Sequence, residues 1–561
     1  MLYFSWTSRH PLWNDFADCL SKITNFLASS LALLSSTALA ANPIKVQEQE
    51  FIDTKTDERF VIVGVDYQPG GSAAVGTGNG DPLSNAGECR RDAALMQNMG
   101  VNTIRSYNLN PDLNHDECAS IFNSVGIYMI IDVNSPLAGG AINRDDPAST
   151  YNSEYLTRVF TVIEAFKSYP NTLGFFAGNE IINDLPTASE NPQYIRAVQR
   201  DMKQYIAQNA DREIPVGYSA ADVREVLEDT WAYLQCDNSD NEDSDSRSDF
   251  FGLNSYSWCG GDATFQSSGY DDLVSMFSNT TIPVFFSEYG CIQVTPRVFD
   301  EVQALYGPRM TVLSGGLVYE WTQEDNGYGL VNITSDGDAQ LTTDFENLSS
   351  QYAKLNTTLL QSQNDTATSL EAPQCDASLI SSDSFSTTFD IPSQPDGVAD
   401  LISNGVKNAP SGSIVSVTQT SVDATVYATG GGQISGLQIN PVEGANAPGS
   451  GGNGGGSGLS TGAAPSGTST SSSGGNGGSS STQTSSGSEA SNTSGASGTS
   501  GGSGGSSTST GSGSSDESST ATSSGSAASS TESEGTGFRV DGKMASSAGL
   551  AAAIGAVAFA L

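Results

Sequence analysis

Leu173-Gly-Phe-Phe-Ala-Gly-Asn-Glu180 is a short apolar, aromatic-rich run that ends on a carboxylate. It reads as a buried strand followed by a polar loop. Ile282-Pro-Val-Phe-Phe-Ser-Glu288-Tyr-Gly290 repeats the arrangement about a hundred residues later. A barrel enzyme presents two acids to one substrate by placing a carboxylate at the C-terminal tip of each of two strands. Glycoside cleavage needs such a pair, one carboxyl to protonate the leaving oxygen and one carboxylate to attack or stabilise the anomeric carbon. A lone Asn-Glu at a strand end is a weak signal; its recurrence on two similar strands carries the reading.

The pattern extends to both sides of these runs. Apolar segments at 59–67, 101–107, 126–132, 173–180, 214–218, 250–256, 284–288 and 315–321 alternate with helical periodicity at 89–99, 117–125, 155–166, 194–209, 223–233, 270–277 and 299–305. Eight strands alternating with helices predict an α/β chain folded as a (β/α)8 TIM barrel. Tyr67, Arg105, Tyr107, Asp132, Glu180, Tyr256, Glu288 and Tyr319 then fall at strand C-terminal ends, the active-site rim of that fold. On this rim Glu180 and Glu288 cannot do the same job: an acid needs a raised pKa and is protonated before cleavage, whereas a nucleophile stays ionised. Asn179 is placed to bond a sugar 2-OH, Tyr256 and Tyr289 to orient Glu288, and Tyr107, Tyr256, Trp258 and Tyr319 to stack on sugar rings.

Composition narrows the chemistry. The net charge of −40 over 561 residues opposes binding to nucleic acid or an anionic membrane surface. The acidic run at 237–249 reads as a solvated loop. Of two histidines, only His115 follows the apolar N-terminal run, so a histidine zinc site or a Ser-His-Asp triad is not expected; no metal and no cofactor are called for. Residues 1–40 read as a secretory signal closing in Ala38-Leu-Ala40. Residues 444–537 are a Gly/Ser/Thr-rich stalk with too little apolar surface to offset ordering entropy. Small residues at Gly535 and Gly537, a polar spacer and an apolar end predict a GPI-attachment propeptide over 538–561. Between these lie the barrel, 41–378, and an extension, 379–443, whose structure the sequence leaves open. Cys89, Cys118, Cys236, Cys259, Cys291 and Cys375 form an even set in an oxidising route, and their pairing is open from sequence alone. Asn279, Asn332, Asn347, Asn356, Asn364 and Asn492 are glycosylation candidates.

Gly64-Val-Asp-Tyr-Gln68, Asn102-Thr-Ile-Arg-Ser-Tyr107, Ile142-Asn-Arg-Asp-Asp-Pro147, Gly178-Asn-Glu180, Gly217-Tyr-Ser-Ala-Ala-Asp222, Asn254-Ser-Tyr-Ser-Trp-Cys259 and Phe286-Ser-Glu-Tyr-Gly-Cys291 together resemble glycoside hydrolase family 72, the fungal GPI-anchored 1,3-β-glucanosyltransferases, over residues 43–378. The resemblance implies Glu180 as acid/base and Glu288 as nucleophile. It implies Gln68, Tyr107, Asp132, Asn143, Arg144, Asn179, Asp222, Tyr256 and Tyr319 as binding residues for donor and acceptor β-1,3-glucan. It also implies the pairs Cys89–Cys118, Cys236–Cys375 and Cys259–Cys291, and a monomer at the outer face of the plasma membrane or in the wall. Leu227 departs from the family pattern, which has an arginine five residues beyond Asp222, and Arg224 replaces it poorly by spacing; Ser257 stands where glutamate is common. With no cysteine beyond Cys375, the cysteine-rich carbohydrate-binding module of some members is not expected. The competing readings are a β-1,3-glucan hydrolase and a non-catalytic wall-structural or adhesive glycoprotein.

Overall fold

β-Branched and aromatic residues concentrate in eight short segments, and in this computed structural model those segments pair edge to edge until the sheet closes. Residues 41–71, 80–238, 244–362 and 370–448 are described; the expectations for residues 1–40, Asn364, Asn492, Gly535, Gly537 and 538–561 lie outside them. The barrel strands are β1 (Ile62–Asp66), β2 (Thr103–Ser106), β3 (Tyr128–Asp132), β4 (Thr172–Asn179), β5 (Val216–Ala221), β6 (Phe250–Asn254), β7 (Val284–Tyr289) and β8 (Gly315–Val318). They are parallel and run in sequence order around the ring, with β8 paired to β1. Around them lie α1 (Ala86–Met99), α2 (Asp116–Ser124), α3 (Ser153–Phe166), α4 (Pro192–Asn209) and α5 (Arg224–Gln235), then the shorter α6 (Tyr270–Met276), α7 (Glu301–Leu305) and α8 (Thr343–Tyr352). The first helix shows how the boundaries are set: Asn85 accepts bonds from the Gly87 and Glu88 N–H groups, and Gly100 ends the helix at φ 89°, a left-handed conformation that glycine adopts without a Cβ penalty.

The barrel interior is filled by aromatic rings, with Phe176, Phe250 and Phe285 packed at centroid distances of 5.3 to 6.1 Å. They fit because the neighbouring strands carry glycine: a Cβ on Gly217 would lie 2.3 Å from the Phe250 ring. The segment 59–67, which reads as one strand, is divided. Arg59–Phe60 joins Ile44–Gln47 and Glu50–Asp53 in an antiparallel floor under the barrel, and Ile62–Asp66 enters the ring. Phe51 of the floor inserts against Phe250 and Phe285, which closes the end opposite the rim.

The segment beyond the barrel is ordered and runs around it. Cys375 is bonded to Cys236 at the end of α5, and the Ser381 and Ser382 N–H groups donate to the Asp229 carboxylate. Phe389 stacks on Tyr233 at 4.7 Å. Val426–Tyr427 extends a small outer sheet by pairing with Ala339–Leu341. The packed chain continues past 443, where the stalk was expected to begin: Asn446 is 1% exposed and bonds the Gly126 and Val101 carbonyls at the barrel floor. The other disulfides join Cys89 to Cys118, tying α1 to α2, and Cys259 to Cys291, tying the loops after β6 and β7. The Cys236–Cys375 bridge spans 139 residues, which in the chain-entropy account stabilises the fold by about 5 kcal/mol. Asn279, Asn332 and Asn356 are exposed, whereas Asn347 is half-buried with its amide donated to the Arg297 carbonyl. No helix among the described residues is long and apolar enough to cross a membrane.

Candidate active site

Both glutamates stand where their strands lose regular register. The β4–β5 pairing shifts between Phe176 and Asn179, and the β7–β6 pairing shifts between Phe286 and Glu288. Such irregularities re-aim a side chain at a sheet rim. Glu180 itself has φ 49°, a left-handed conformation that costs a non-glycine residue about 1 kcal/mol or more. The turn directs its carboxyl over the barrel mouth. Glu180 is 8% exposed and Glu288 3%, so both act in a site largely cleared of water.

Asn254 ends β6 between them, and its amide has one orientation. Oδ1 accepts from the Ser219 and Ser287 hydroxyls at 3.0 and 2.8 Å, so Nδ2 must face the other way. There it donates to Glu180 Oε1 at 2.9 Å and Asn179 Oδ1 at 3.1 Å. Arg105 does the corresponding work for Glu288. Its guanidinium is fully buried and lies 4.5 Å from the ring centroids of both Tyr107 and Phe176. It forks onto Asp132 at 2.8 and 3.1 Å, donates to Asn179 Oδ1 at 2.9 Å, and donates to Glu288 Oε1 at 3.1 Å. The bidentate fork holds Asp132 as an anion. Burial raises its pKa and Arg105 opposes that shift.

The donor sets separate the two carboxyls. Glu288 accepts from Arg105 and Tyr107 on Oε1 and from Tyr256 on Oε2. Glu180 accepts from Asn254 alone among these groups. Three donors favour the ionised form of Glu288, whereas Glu180 retains room for a proton. Burial is the first cause of an upward shift in both. Arg105 and the two tyrosines oppose it at Glu288, where the charge of Glu180 adds to it; Asn254, Arg144 and Arg105 oppose it at Glu180. The pair therefore titrates as a unit, with burial pushing Glu288 up to about 7 and Glu180 upward as well.

The sign of the pH dependence follows. With Glu288 as the expected nucleophile and Glu180 as the expected acid, activity is expected to fall on the acid side as Glu288 gains a proton and on the alkaline side as Glu180 loses its own. Because burial raises both, each limb of a kcat/KM profile is expected above the ordinary glutamate value of about 4.3. An alkaline limb at or below that value would contradict this arrangement.

The remaining expected residues lie at separate places around the rim. Tyr107, Asp132, Asn143, Arg144 and Asn179 line a cleft of about 640 Å³ beside Glu180. Tyr319 packs edge-on to Tyr256 and Tyr328, and buried Arg297 holds the Tyr319 carbonyl at 2.7 Å. Gln68 is 4% exposed, its Nε2 donates to the Gly80 carbonyl, and its buried Oε1 has no partner among the described residues. Asp222 accepts from Ser255 at 2.7 Å and pairs with Arg224 at 2.5 Å; Leu227 lies on the buried face of α5. Three expectations are corrected. The Tyr289 hydroxyl meets Tyr352, not Glu288. Tyr67 turns outward to Asp92. The Trp258 indole is bonded to Asp300 and packed on Tyr270.

The sequence places Arg105 on the rim without a specific role, and Asn254 receives none. The available signal was strand alternation: Thr103, Arg105 and Tyr107 share a side of β2, so an arginine there points inward among apolar neighbours and must have anionic partners. Among the described residues no group of three or more His, Cys, Asp or Glu side chains is arranged to hold a metal ion.

The chain is similar to known proteins over most of its described length. A family model described as Glucanosyltransferase (Glyco_hydro_72) matches residues 33–356. The 1,3-beta-glucanosyltransferase gel2 of Aspergillus fumigatus is 54% identical over 415 residues, 74% of this chain and 86% of the relative. The probable 1,3-beta-glucanosyltransferase GAS3 of Saccharomyces cerevisiae is 49% identical over 409 residues, 70% of this chain and 78% of the relative. A solved structure of Saccharomyces cerevisiae Gas2p in complex with laminaritetraose and laminaripentaose is 34% identical, with a TM-score of 0.55 over 64% of this chain and 75% of that one.

Proposed function

The chain belongs to the glucanosyltransferase family, and on that premise we propose that it is a retaining 1,3-β-glucanosyltransferase acting on β-1,3-glucan as both donor and acceptor. The observation that carries the reading is the asymmetric pair: two buried carboxyls linked through Asn254 and Arg105, one with three donors and one with a single donor. The laminari-oligosaccharides in the solved relative support the substrate class.

In the first step Glu288 forms a bond to the anomeric carbon as the bond to the leaving O3 breaks. Glu180 gives its proton to that oxygen. Oε2 of Glu288 carries one donor against two on Oε1, so Oε2 keeps a lone pair for the attack. The reducing-end fragment leaves, and a glycosyl-enzyme remains. Glu180, now a base, takes the proton of a 3-OH at another chain's non-reducing end. The new C1–O3 bond forms as the ester to Glu288 breaks, and the two inversions restore the β configuration. Gln68, Tyr107, Asp132, Asn143, Arg144, Asn179, Asp222, Tyr256 and Tyr319 hold the sugars. Transfer prevails over hydrolysis where the acceptor is held in place ahead of water.

The signal, three disulfides and GPI-type C-terminal pattern support export through the secretory route and tethering at the outer face of the plasma membrane or in the wall. Incubation with reduced laminari-oligosaccharides tests the reaction. Products longer than the donor are expected; only shorter ones would make the protein a hydrolase, and no products at all would leave the adhesive reading.

A further inference from the structure

Arg297 stands in the loop after β7, takes no part in the steps above, and holds two rim loops at once. It is 2% exposed. Its Nη1 donates to the Gly290 and Tyr319 carbonyls at 3.3 and 2.7 Å, and its Nη2 donates to the Tyr328 carbonyl. Gly290 follows β7, whereas Tyr319 and Tyr328 belong to the loop after β8. The guanidinium is itself fixed from α8, where Asp344 accepts from Nε at 2.6 Å and from the Arg297 backbone N–H at 3.0 Å. The Phe299 ring centroid lies 4.6 Å from it. The approach to Gly290 needs a glycine: its φ is 115°, and a Cβ there would lie 3.1 Å from Arg297 Nη1. A planar fork of fixed donors can serve a carboxylate and the carbonyls of two loops together, which a point charge cannot.

The two carbonyls taken from the loop after β8 belong to residues whose rings reach the site. Tyr319 and Tyr328 pack edge-on to each other at 5.3 Å, and both meet the Tyr256 ring, at 6.3 and 5.7 Å. Tyr256 stands two residues beyond the end of β6, outside the sheet pairing, so the direction of its ring is set by what it packs against. Its hydroxyl donates to Glu288 Oε2 at 2.8 Å. We propose that Arg297, anchored by Asp344, is a positioning residue: it sets the Tyr319–Tyr328 pair against which Tyr256 stands, and so keeps the Tyr256 hydroxyl on Glu288. The oxygen served is the one that attacks in the steps above. The consequence for turnover rests on Glu288 as the nucleophile; the placement of Tyr256 does not.

The test uses the full chain and Arg297→Lys, which keeps a cation beside Asp344 but loses the fork onto three carbonyls. The protonation midpoint of Glu288 is read without substrate from its infrared carboxylic-acid band, assigned by its loss in Glu288→Gln. Losing a donor to the ionised form raises that midpoint. Arg297→Lys and Tyr256→Phe are each expected to raise it by about one unit, and the double variant by no more than either alone. Arg105 and Tyr107 from β2 and the turn after it, Asp66 from β1, Glu180 from the end of β4, and Tyr319, Glu320 and Tyr328 from the loop after β8 also face Glu288. None of them is substituted, so a shift that the two variants share belongs to Tyr256. An unmoved midpoint in Arg297→Lys, or shifts that add in the double variant, would overturn the proposal and leave Arg297 a structural residue whose loss lowers only the Tm. With reduced laminari-oligosaccharides the acid limb of kcat/KM is expected to move up with the infrared midpoint. A moved midpoint beside an unmoved limb would uphold the placement of Tyr256 and remove Glu288 from the nucleophile's role, so the two failures are read separately. If Arg297→Lys does not fold, Phe299→Leu takes its place. It leaves every charge paired and removes the ring against the guanidinium. The midpoint is expected to rise there too, and no rise would overturn the proposal.

Discussion

Glu288→Gln lowers turnover of a β-1,3-glucan by roughly ten-thousand-fold, as expected when the covalent step loses its nucleophile. The substitution keeps shape and volume. A Gln carbonyl oxygen can still accept from Arg105 and Tyr107, and its amide can meet the Tyr256 hydroxyl, so folding is preserved and the loss is chemical. Glu180→Gln also impairs natural substrates, but for a different reason, and the two variants separate by leaving group. A glucan with an activated aryl leaving group needs no proton to depart, so it restores formation of the glycosyl-enzyme in Glu180→Gln. The same substrate does nothing for Glu288→Gln, because no nucleophile is present. Added azide then attacks the glycosyl-enzyme of Glu180→Gln and gives a product of retained configuration. Equal response of both variants to the aryl substrate would reverse or dissolve the assignment, and more than about a hundredth of wild-type turnover in Glu288→Gln would exclude it as nucleophile.

What the sequence made legible was whatever repeats with a period. Apolar strands alternating with helices located all eight barrel strands to within a few residues, and the two runs closing in Glu180 and Glu288 marked the rim. The floor was missed because Arg59–Phe60 and Ile62–Asp66 are contiguous in sequence and differ only in partners, a tertiary fact that no local pattern records. The extension was undecided for a related reason. It holds on by separate contacts, such as Ser381 and Ser382 on Asp229 and Phe389 on Tyr233, spaced by the surface it crosses and not by its own periodicity. The tyrosines show the limit most clearly. Tyr256 and Tyr289 both flank Glu288 in plausible motifs, but β7 continues through Tyr289, and strand alternation turns its ring away from the mouth toward Tyr352. Asn254 was legible as part of the sixth strand but not as a link, since its role depends on Ser219 and Ser287 fixing which face of the amide meets Glu180.

Arg105→Met is expected to damage stability and catalysis together, and pH tells the two apart. The methionine fills the space between Tyr107 and Phe176 but leaves Asp132 and Glu288 buried without their cation. Breaking a buried ion pair from one side costs about 3–5 kcal/mol. Burial already raises both carboxyls with Arg105 opposing it; removing Arg105 raises them further in the folded state while the unfolded values stay the same. A carboxyl raised on folding destabilises above its unfolded pKa, and the penalty is relieved as pH falls and the folded form takes up protons. The gap between wild type and Arg105→Met in chemical denaturation is therefore widest at neutral pH and narrows toward acid. For the same reason the acid limb of kcat/KM moves to higher pH, since Glu288 gives up its proton less readily. Lysine does not rescue: a point charge cannot make the fork onto Asp132 and still reach Glu288 and Asn179. Adding Asp132→Asn to Arg105→Met removes one stranded anion and is expected to recover part of the stability but not the rate. A stability gap that stays constant with pH would mean that Arg105 contributes packing alone, and the electrostatic account of Glu288 would have to be abandoned.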